Sequence, residues 1–380
     1  MSEPFRVAHI VTGERFWGVE TYVANLTSAF DSNEVKPLII CANAQIHEEF
    51  ARRGLDSIHV AMPGPADTRA IMEIVNLVKG RGIQIVHTHL GLDATLVWFA
   101  RAAQHFVHVH SVHFLVPAWA QAKPWKRALL GPLSTVRNSS IDHFLPITPQ
   151  VAAALKAREG VPSEKMSVIF PGLAPLKPIS SRARFEARSS FAASDSTVLI
   201  AAICRLEKEK NIQLAIDAAG LLKTRFASFQ LLICGSGSEF GALQERVAAL
   251  ELRHHVKLLG YVADVSEVLV ACDFFVHTAL AEPFGLAVAE AMQMQLPVIG
   301  LSGGGLDFIV SPPETGFLLT DASPGSLARA MEELCVSSQK RTIMGRNAAY
   351  SVESNFSSVN MAADVAAVYR QLVLTSGSVG

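Results

Sequence analysis

The chain is poor in several features that mark large protein classes. Its five cysteines (Cys41, Cys204, Cys234, Cys272, Cys335) are odd in number, scattered and without a C-x-x-C pair. That excludes a disulfide framework and leaves small core residues of a reducing compartment. Formal net charge is −1, so composition calls for no nucleic-acid partner. The longest stretch free of formal charge, Ala102 to Ala122, holds four histidines and a proline, which rules it out as a membrane span. Repeats with a period of about 20–50 residues are lacking, as are low-complexity segments. The apolar run behind Glu3 and Arg6 is too short for a signal sequence and reads as a first strand. The cytoplasm is the expected location. What the chain does have is apolar mass. Half of its 380 residues are hydrophobic and 18% charged, enough for a sizeable core in each of two domains.

Short β-branched runs alternate with Ala- and Leu-rich amphipathic segments as far as about residue 320. This is the pattern of βα units around parallel sheets, so the class is α/β. Strands are expected at 7–11, 38–41, 57–60, 83–87, 107–112 and 143–147, with helices at 19–30, 68–79, 93–103, 123–137 and 149–158. Three prolines and a glycine within 171–178, then a polar arginine-rich stretch, mark the linker. A second alternation runs from strand 198–204 to strand 298–300, and 327–373 reads as three helices. Two doubly wound domains are expected to share a cleft at their strand C-terminal edges.

The stretch Glu282-Pro-Phe-Gly-Leu-Ala-Val-Ala-Glu290 reads as a loop that turns into a helix near Gly285, since Pro283 disrupts any earlier turn. The amides of Phe284, Gly285 and Leu286 then lie at a helix start, a place for an anion. Eight residues apart in a continuous helix, two carboxylates diverge by roughly 80° and 12 Å, unlike a hydrolase pair around one bond. An ordinary solvated glutamate on a buried helix is the competing reading. Arg205 and Lys210 follow the first strand of the second half and suit phosphate oxygens, although a Lys/Glu mixture is commonly a solvated turn. A glycine turn follows at Gly235 and Gly237, then Gly260-Tyr-Val262 and Ser302-Gly-Gly-Gly-Leu-Asp307. Each of these loops falls at a strand C-terminal end.

In order and spacing the loops closely resemble the retaining glycosyltransferases of family four, the group 1 glycosyltransferases. The carriers are Arg205/Lys210, Gly235/Gly237, Gly260/Val262, Glu282 to Glu290, Gly303/Gly304 with Asp307, and Thr315-Gly-Phe-Leu318. The resemblance implies a GT-B fold, two facing Rossmann-like doubly wound domains with a central cleft and C-terminal helices. It implies an N-terminal acceptor-side domain over 1–175, a donor-side domain over 176–355, and a terminal helix over 356–380 that returns to the first domain. By the same resemblance Glu290 would hold the donor ribose and Glu282 the hydroxyls of the transferred sugar. Arg205 and Lys210 would neutralise the diphosphate, Phe284 to Leu286 would lie along sugar and phosphate, and Gly260 to Val262 near the base. Fixed cations and amides of that kind stabilise a departing diphosphate without a metal or cofactor. Cys204 and Asp307 depart from the family's usual Gly and Glu at their positions.

In the first half, Thr12-Gly13-Glu-Arg-Phe-Trp17-Gly18-Val-Glu20 resembles the family's G-G-x-E loop over the donor phosphates, with Trp17 in place of one glycine. Ser111-Val-His113 resembles its T-x-H, so His113 would reach the donor sugar, and the two domains would close on the substrate. His108, His110 and His113, or His87 and His89, raise a zinc reading, weighed against ordinary hydrogen-bonded histidines at strand ends. No acidic residue lies between Asp93 and Asp142, while Arg101, Lys123, Lys126, Arg127 and Arg137 stand near Trp119 and Trp125. The segment 119–137 is therefore either an anionic-membrane contact at the inner face or a plain solvated helix. The expected activity is transfer of a sugar from a UDP- or GDP-type donor to a sugar, lipid-linked or small-molecule acceptor, in cell-surface polysaccharide or glycolipid synthesis. A nucleotide-sugar epimerase or hydrolase of the same fold, and a non-catalytic nucleotide-sugar-binding protein, are the rivals.

Overall fold

Runs such as Phe-Arg-Val-Ala-His-Ile-Val at 5–11 and Val-Leu-Ile-Ala-Ala-Ile at 198–203 are too apolar for water on either face, as strands buried between helices require. In the computed structural model, which describes residues 3–116, 123–176, 180–191, 193–194 and 196–377 and only the backbone of 124–129 and 376–377, both are central strands of parallel sheets. The chain divides into two units, residues 1–174 with 356–380 and residues 175–355.

The first unit runs β1 (Phe5–Val11), α1 (Gly18–Ala29), β2 (Val35–Cys41), α2 (Ala44–Arg52), β3 (Ser57–His59), α3 (Thr68–Arg81), β4 (Ile85–Thr88), α4 (Gly91–Arg101), β5 (Val107–Val112), α5 (Pro124–Ser139), β6 (His143–Pro146) and α6 (Pro149–Glu159). Its six described strands lie in the order β3-β2-β1-β4-β5-β6, all parallel. Strand order reverses between β1 and β4, where His9 pairs with His87 in the ladder.

The second unit holds α7 (Ser181–Ser190), β7 (Val198–Ile203), α8 (Ile212–Leu222), β8 (Phe229–Cys234), α9 (Phe240–Ala249), β9 (Val256–Gly260), α10 (Ser266–Ala271), β10 (Phe274–His277), α11 (Leu286–Gln293), β11 (Val298–Leu301), β12 (Gly316–Leu319), α12 (Pro324–Val336) and α13 (Ser338–Asn355). Its order, β12-β11-β10-β7-β8-β9, repeats the first and reverses between β7 and β10. Open parallel sheets bind ligands outside the strand C-termini at such reversals. The last helix, α14 (Ser358–Gly377), belongs to the first unit. Leu173 fastens its start by donating to Phe356 O and accepting from Ser358 N–H, and its Tyr369, fully buried, meets His87 Nδ1 at 2.6 Å.

Two helices were absent from the pattern read in the sequence, α2 and α7. The arginine-rich stretch taken as linker forms α7, which buries no residue. It is held instead by charge: Arg184 and Arg188 pair with the two oxygens of Asp273 at 2.9 and 3.0 Å and also donate to the carbonyls of Val270, Ala271 and Cys272. Apolar periodicity cannot reveal a helix fixed in this way. Among the described residues no helix is long and apolar enough to cross a membrane.

The first sheet encloses six histidines, His9, His87, His89, His108, His110 and His113, each at most 8% exposed. Burial lowers all their pKa values below the ordinary 6.5, those of His9, His108 and His113 to about 3. The unfolded chain therefore binds more protons once pH drops below 6.5, and each group then removes about 1.4 kcal/mol of stability per pH unit. Asp93, pushed up to about 8 by burial, acts in the opposite sense, but it is one group against six. The histidine-linked part of stability is expected to be full above pH 6.5, and stability to fall steeply below it. Thermal melts across that range would check this, and a flat melting temperature down to about pH 5 would contradict it.

Candidate functional site

The strand-order reversal of the second unit is where β7 and β10 end. Beyond β7 the chain runs through Arg205 to Lys210, whose carbonyl accepts a hydrogen bond from Thr278 Oγ1 at 2.9 Å. Beyond β10 come His277 and Glu282. Lys210 Nζ donates to Glu282 Oε2 at 2.7 Å, and His277 Nε2 lies 2.8 Å from the same oxygen. The lysine and glutamate side chains are only 15% and 12% exposed. Burial alone would raise the Glu282 carboxyl, but the hydrogen bond from His277 and the lysine charge outweigh it and hold the group at about 2. Glu282 is a fixed anion at neutral pH.

The surrounding loops brace this carboxylate through backbone contacts. Gly305 N–H donates to the Glu282 carbonyl at 2.6 Å, and a side chain at Gly305 would collide with the backbone of Pro283 and Phe284. The Gly303–Gly305 turn thus lies against the segment that carries Glu282. Asp307 turns back on its own loop and accepts from Ser302 Oγ at 3.0 Å and Gly303 N–H at 2.9 Å. Gly235 also serves the protein's own chain. At φ 148° it stands where a side chain would strike the Cys204 carbonyl, and its N–H donates to Gly260 O at 2.7 Å. This glycine packs one site loop against another and so gives close approach a structural cause.

The structure therefore brings Lys210 together with Glu282, and Gly235 with Gly260. Gly285 precedes the first residue of α11, Leu286, with Phe284 buried beside it and Glu290 one turn inside the helix. Val262 lies just beyond β9. Arg205 is not drawn into the Glu282 group; it is exposed and pairs with Glu209 at 3.0 Å. His277 and Thr278 were missed by sequence reasoning. A histidine and a threonine closing an otherwise apolar strand, five and four residues before an acid, are the signal that could have found them.

In the first unit, Gly18 opens α1 and is exposed, while His113 follows β5 and is 7% exposed. Trp17 N–H donates to the buried Glu20 carboxylate at 2.9 Å, so the loop is closed by a side chain three residues on. The histidines considered for zinc are sorted differently from the sequence pairing. His108 and His110 meet through Thr88 Oγ1 at 2.9 and 2.8 Å. His87 and His89 group with His9, ring nitrogens within 4.8 Å of one another, a set that could hold a metal ion. Of the basic segment, Trp119 lies outside the described residues, as do the side chains of Trp125, Lys126 and Arg127. Arg101 pairs with Asp142 at 2.8 Å, and the largely buried Arg137 donates to Gly91 O and Asn138 Oδ1. These two guanidiniums are turned inward.

Residues 183–350 match the family model described as glycosyl transferases group 1, and residues 17–175 match Glycosyltransferase Family 4. The chain belongs to the family-four, group 1 glycosyltransferases. It is 24% identical over 279 residues to the putative glycosyltransferase EpsD of Bacillus subtilis, 71% of this chain and 72% of that protein. It is 26% identical over 283 residues to the D-inositol 3-phosphate glycosyltransferase of Gordonia bronchialis, covering 70% of this chain and 61% of that one. In structure it resembles HepE of Anabaena, solved in complex with UDP and glucose, with a TM-score of 0.84, 18% identity and coverage of 97% and 100%. The fold class is GT-B.

The buried pair also makes a claim about stability. Glu282→Gln keeps the volume but leaves the Lys210 ammonium without its anion, a change expected to cost on the order of 2 kcal/mol because the lysine tip still reaches water. Urea unfolding of the full chain checks this, with an unchanged midpoint as the contrary result.

Proposed function

We propose that this glycosyltransferase moves a sugar from a nucleoside-diphosphate donor of UDP or GDP type to an acceptor, with retention at the anomeric carbon. The observation that carries the reading is the Lys210–Glu282–His277 group at the strand-order reversal of the second unit. A cation and a fixed anion side by side suit a ligand that is anionic at its diphosphate and hydroxyl-rich at its sugar. Lys210 and Arg205 meet the diphosphate charge, which grows as the bond to the sugar breaks, so no metal ion is invoked. Glu282 accepts from hydroxyls of the transferred sugar. The α11 start, Phe284 to Leu286, lies along sugar and phosphate, Glu290 takes the ribose, and Gly260 to Val262 lie near the base.

Retention is what the resemblance to the retaining family implies, and the state of Glu282 is compatible with it. A carboxyl held at about 2 by two neighbours is neither a proton donor nor, with one oxygen shared between Lys210 and His277, a free base. As the resemblance implies, the departing phosphate oxygen would take the acceptor's proton. His113 and Gly18 of the first unit are further donor contacts that the resemblance implies. The UDP bound by HepE and the sugar transfer named for the relatives support the substrate class.

For the acceptor we favour a cell-surface polysaccharide or glycolipid precursor. The chain would then act in the cytoplasm or at the inner face of the membrane, with Lys123, Lys126 and Arg127 supplying the cationic contact, since Arg101 and Arg137 are engaged elsewhere.

The test is nucleotide release from UDP- and GDP-sugars with candidate acceptors. Arg205→Ala, Lys210→Ala and Glu282→Ala are each expected to lower turnover about a hundredfold or more. Near-normal turnover in all three would contradict the reading. Donor consumption that needs no acceptor would replace it with a hydrolase or epimerase.

A further inference from the structure

Three imidazoles of the first unit stand in a row. His9 Nδ1 is 3.2 Å from His89 Nε2, and His89 Nδ1 is 3.3 Å from His113 Nε2. Ring centroids are 5.5 and 5.6 Å apart with interplanar angles of 18° and 37°, which places the rings end to end rather than face to face. A neutral imidazole has one N–H and one lone pair. Burial keeps all three neutral, so every proton in the row must point the same way.

The buried end decides which way. His9 is 0% exposed, and its Nε2 has no partner among the described residues. If the protons pointed inward, this atom would be a stranded N–H; if outward, it would be only a lone pair. Proteins leave a buried acceptor under-satisfied more readily than they strand a buried N–H. Outward polarity gives His9 Nδ1–H donating to His89 Nε2, and His89 Nδ1–H donating to His113 Nε2. His113 is then left with Nδ1–H as its open end.

We propose that the row His9–His89–His113 sets the tautomer of His113, making it a hydrogen-bond donor through Nδ1, with His89 and His9 as positioning residues. The proposal rests on the reading of His113 as a contact of a substrate sugar hydroxyl, to which it adds a direction: His113 gives the hydrogen and the hydroxyl oxygen accepts it. The side walls hold the row in place. Tyr22 meets the His113 ring edge-on at 4.7 Å, and His87 lies against both His9 and His89 with its nitrogens taken by Tyr369 Oη at 2.6 Å and Ser111 Oγ at 2.8 Å.

A divalent cation on His9, His87 and His89 is the rival use of the same nitrogens. It would require bonds of about 2.0–2.1 Å to each ring. It would also have to part His87 from Tyr369 or Ser111 and His89 from His9 or His113, whereas the hydrogen-bonded row keeps all of these contacts.

The experiment is long-range proton–nitrogen NMR of the full chain with labelled histidine at neutral pH and no substrate. All three residues are expected to carry their proton on Nδ1, the minor form of free histidine. A proton on Nε2 of His113 would overturn the proposal. So would visible absorption bands of imidazole-bound cobalt on addition of that ion alone.

His9→Phe removes the donor at the base of the row and sets an aromatic face there, on which the His89 Nε2–H of the tautomer free histidine prefers can rest, so the row is free to reverse. It is expected to move the His113 proton to Nε2 and raise the donor KM about tenfold, the loss of one hydrogen bond. His9→Gln can still donate and should keep both at wild-type values. A His9→Phe protein that keeps Nδ1–H on His113 overturns the row. A shifted proton with unchanged KM overturns its link to substrate, a failure distinct from loss of the transferase reading, because the wild-type spectrum is read without turnover.

Discussion

The second unit is arranged around a carboxylate that stays ionised while nearly out of water. Glu282 remains an anion because a lysine from the loop after β7 and a histidine from the end of β10 share one of its oxygens. Loss of either partner would expose the full desolvation cost of the other charges. The chain around it is correspondingly close-fitted. Gly305 seats the Gly-rich turn on the Glu282 backbone, Thr278 ties down the Lys210 carbonyl, and Gly235 draws the β8 loop onto both Cys204 and Gly260. These loops are thus braced by contacts within the protein itself.

The first unit uses the same strand order and reverses at the corresponding place, with a different filling. Where the second unit has a charged pair, the first has neutral imidazoles that satisfy one another. Charge beneath His113 would be expensive to bury, whereas a row of neutral donors and acceptors is tolerated if nearly all of it is paired. The terminal helix α14 contributes to this, since Tyr369 closes one nitrogen of His87. The two reversals thus offer different chemistry, fixed charge in one unit and directed hydrogen bonding in the other.

Much of the fold was legible in the sequence, because buried parallel strands leave continuous apolar runs and their helices leave amphipathic ones. The strand at 107–112 has the limits read from the residues. Helix α7 was not legible, since it is held by Arg184 and Arg188 on Asp273 and has no apolar face to betray it. In the site, the loop positions were visible from glycine, proline and charge at strand ends. The partnership was not. Nothing in the spacing says that Lys210 would choose Glu282 while Arg205 turns to Glu209, or that His277 would complete the group. The histidines show the same limit: His87 and His89 stood out by proximity in sequence, but the residue that joins them, His9, lies on another strand.

In the proposed function, residues 282–290 and Lys210 form one holder for a nucleoside diphosphate. Calorimetric titration of the full chain with UDP and with GDP tests it most directly. One of the two is expected to bind without added metal, with Lys210→Ala abolishing the binding and Glu290→Ala weakening it about tenfold or more through loss of the ribose contact. Binding of neither nucleotide, or binding that both substitutions leave unchanged, would contradict it.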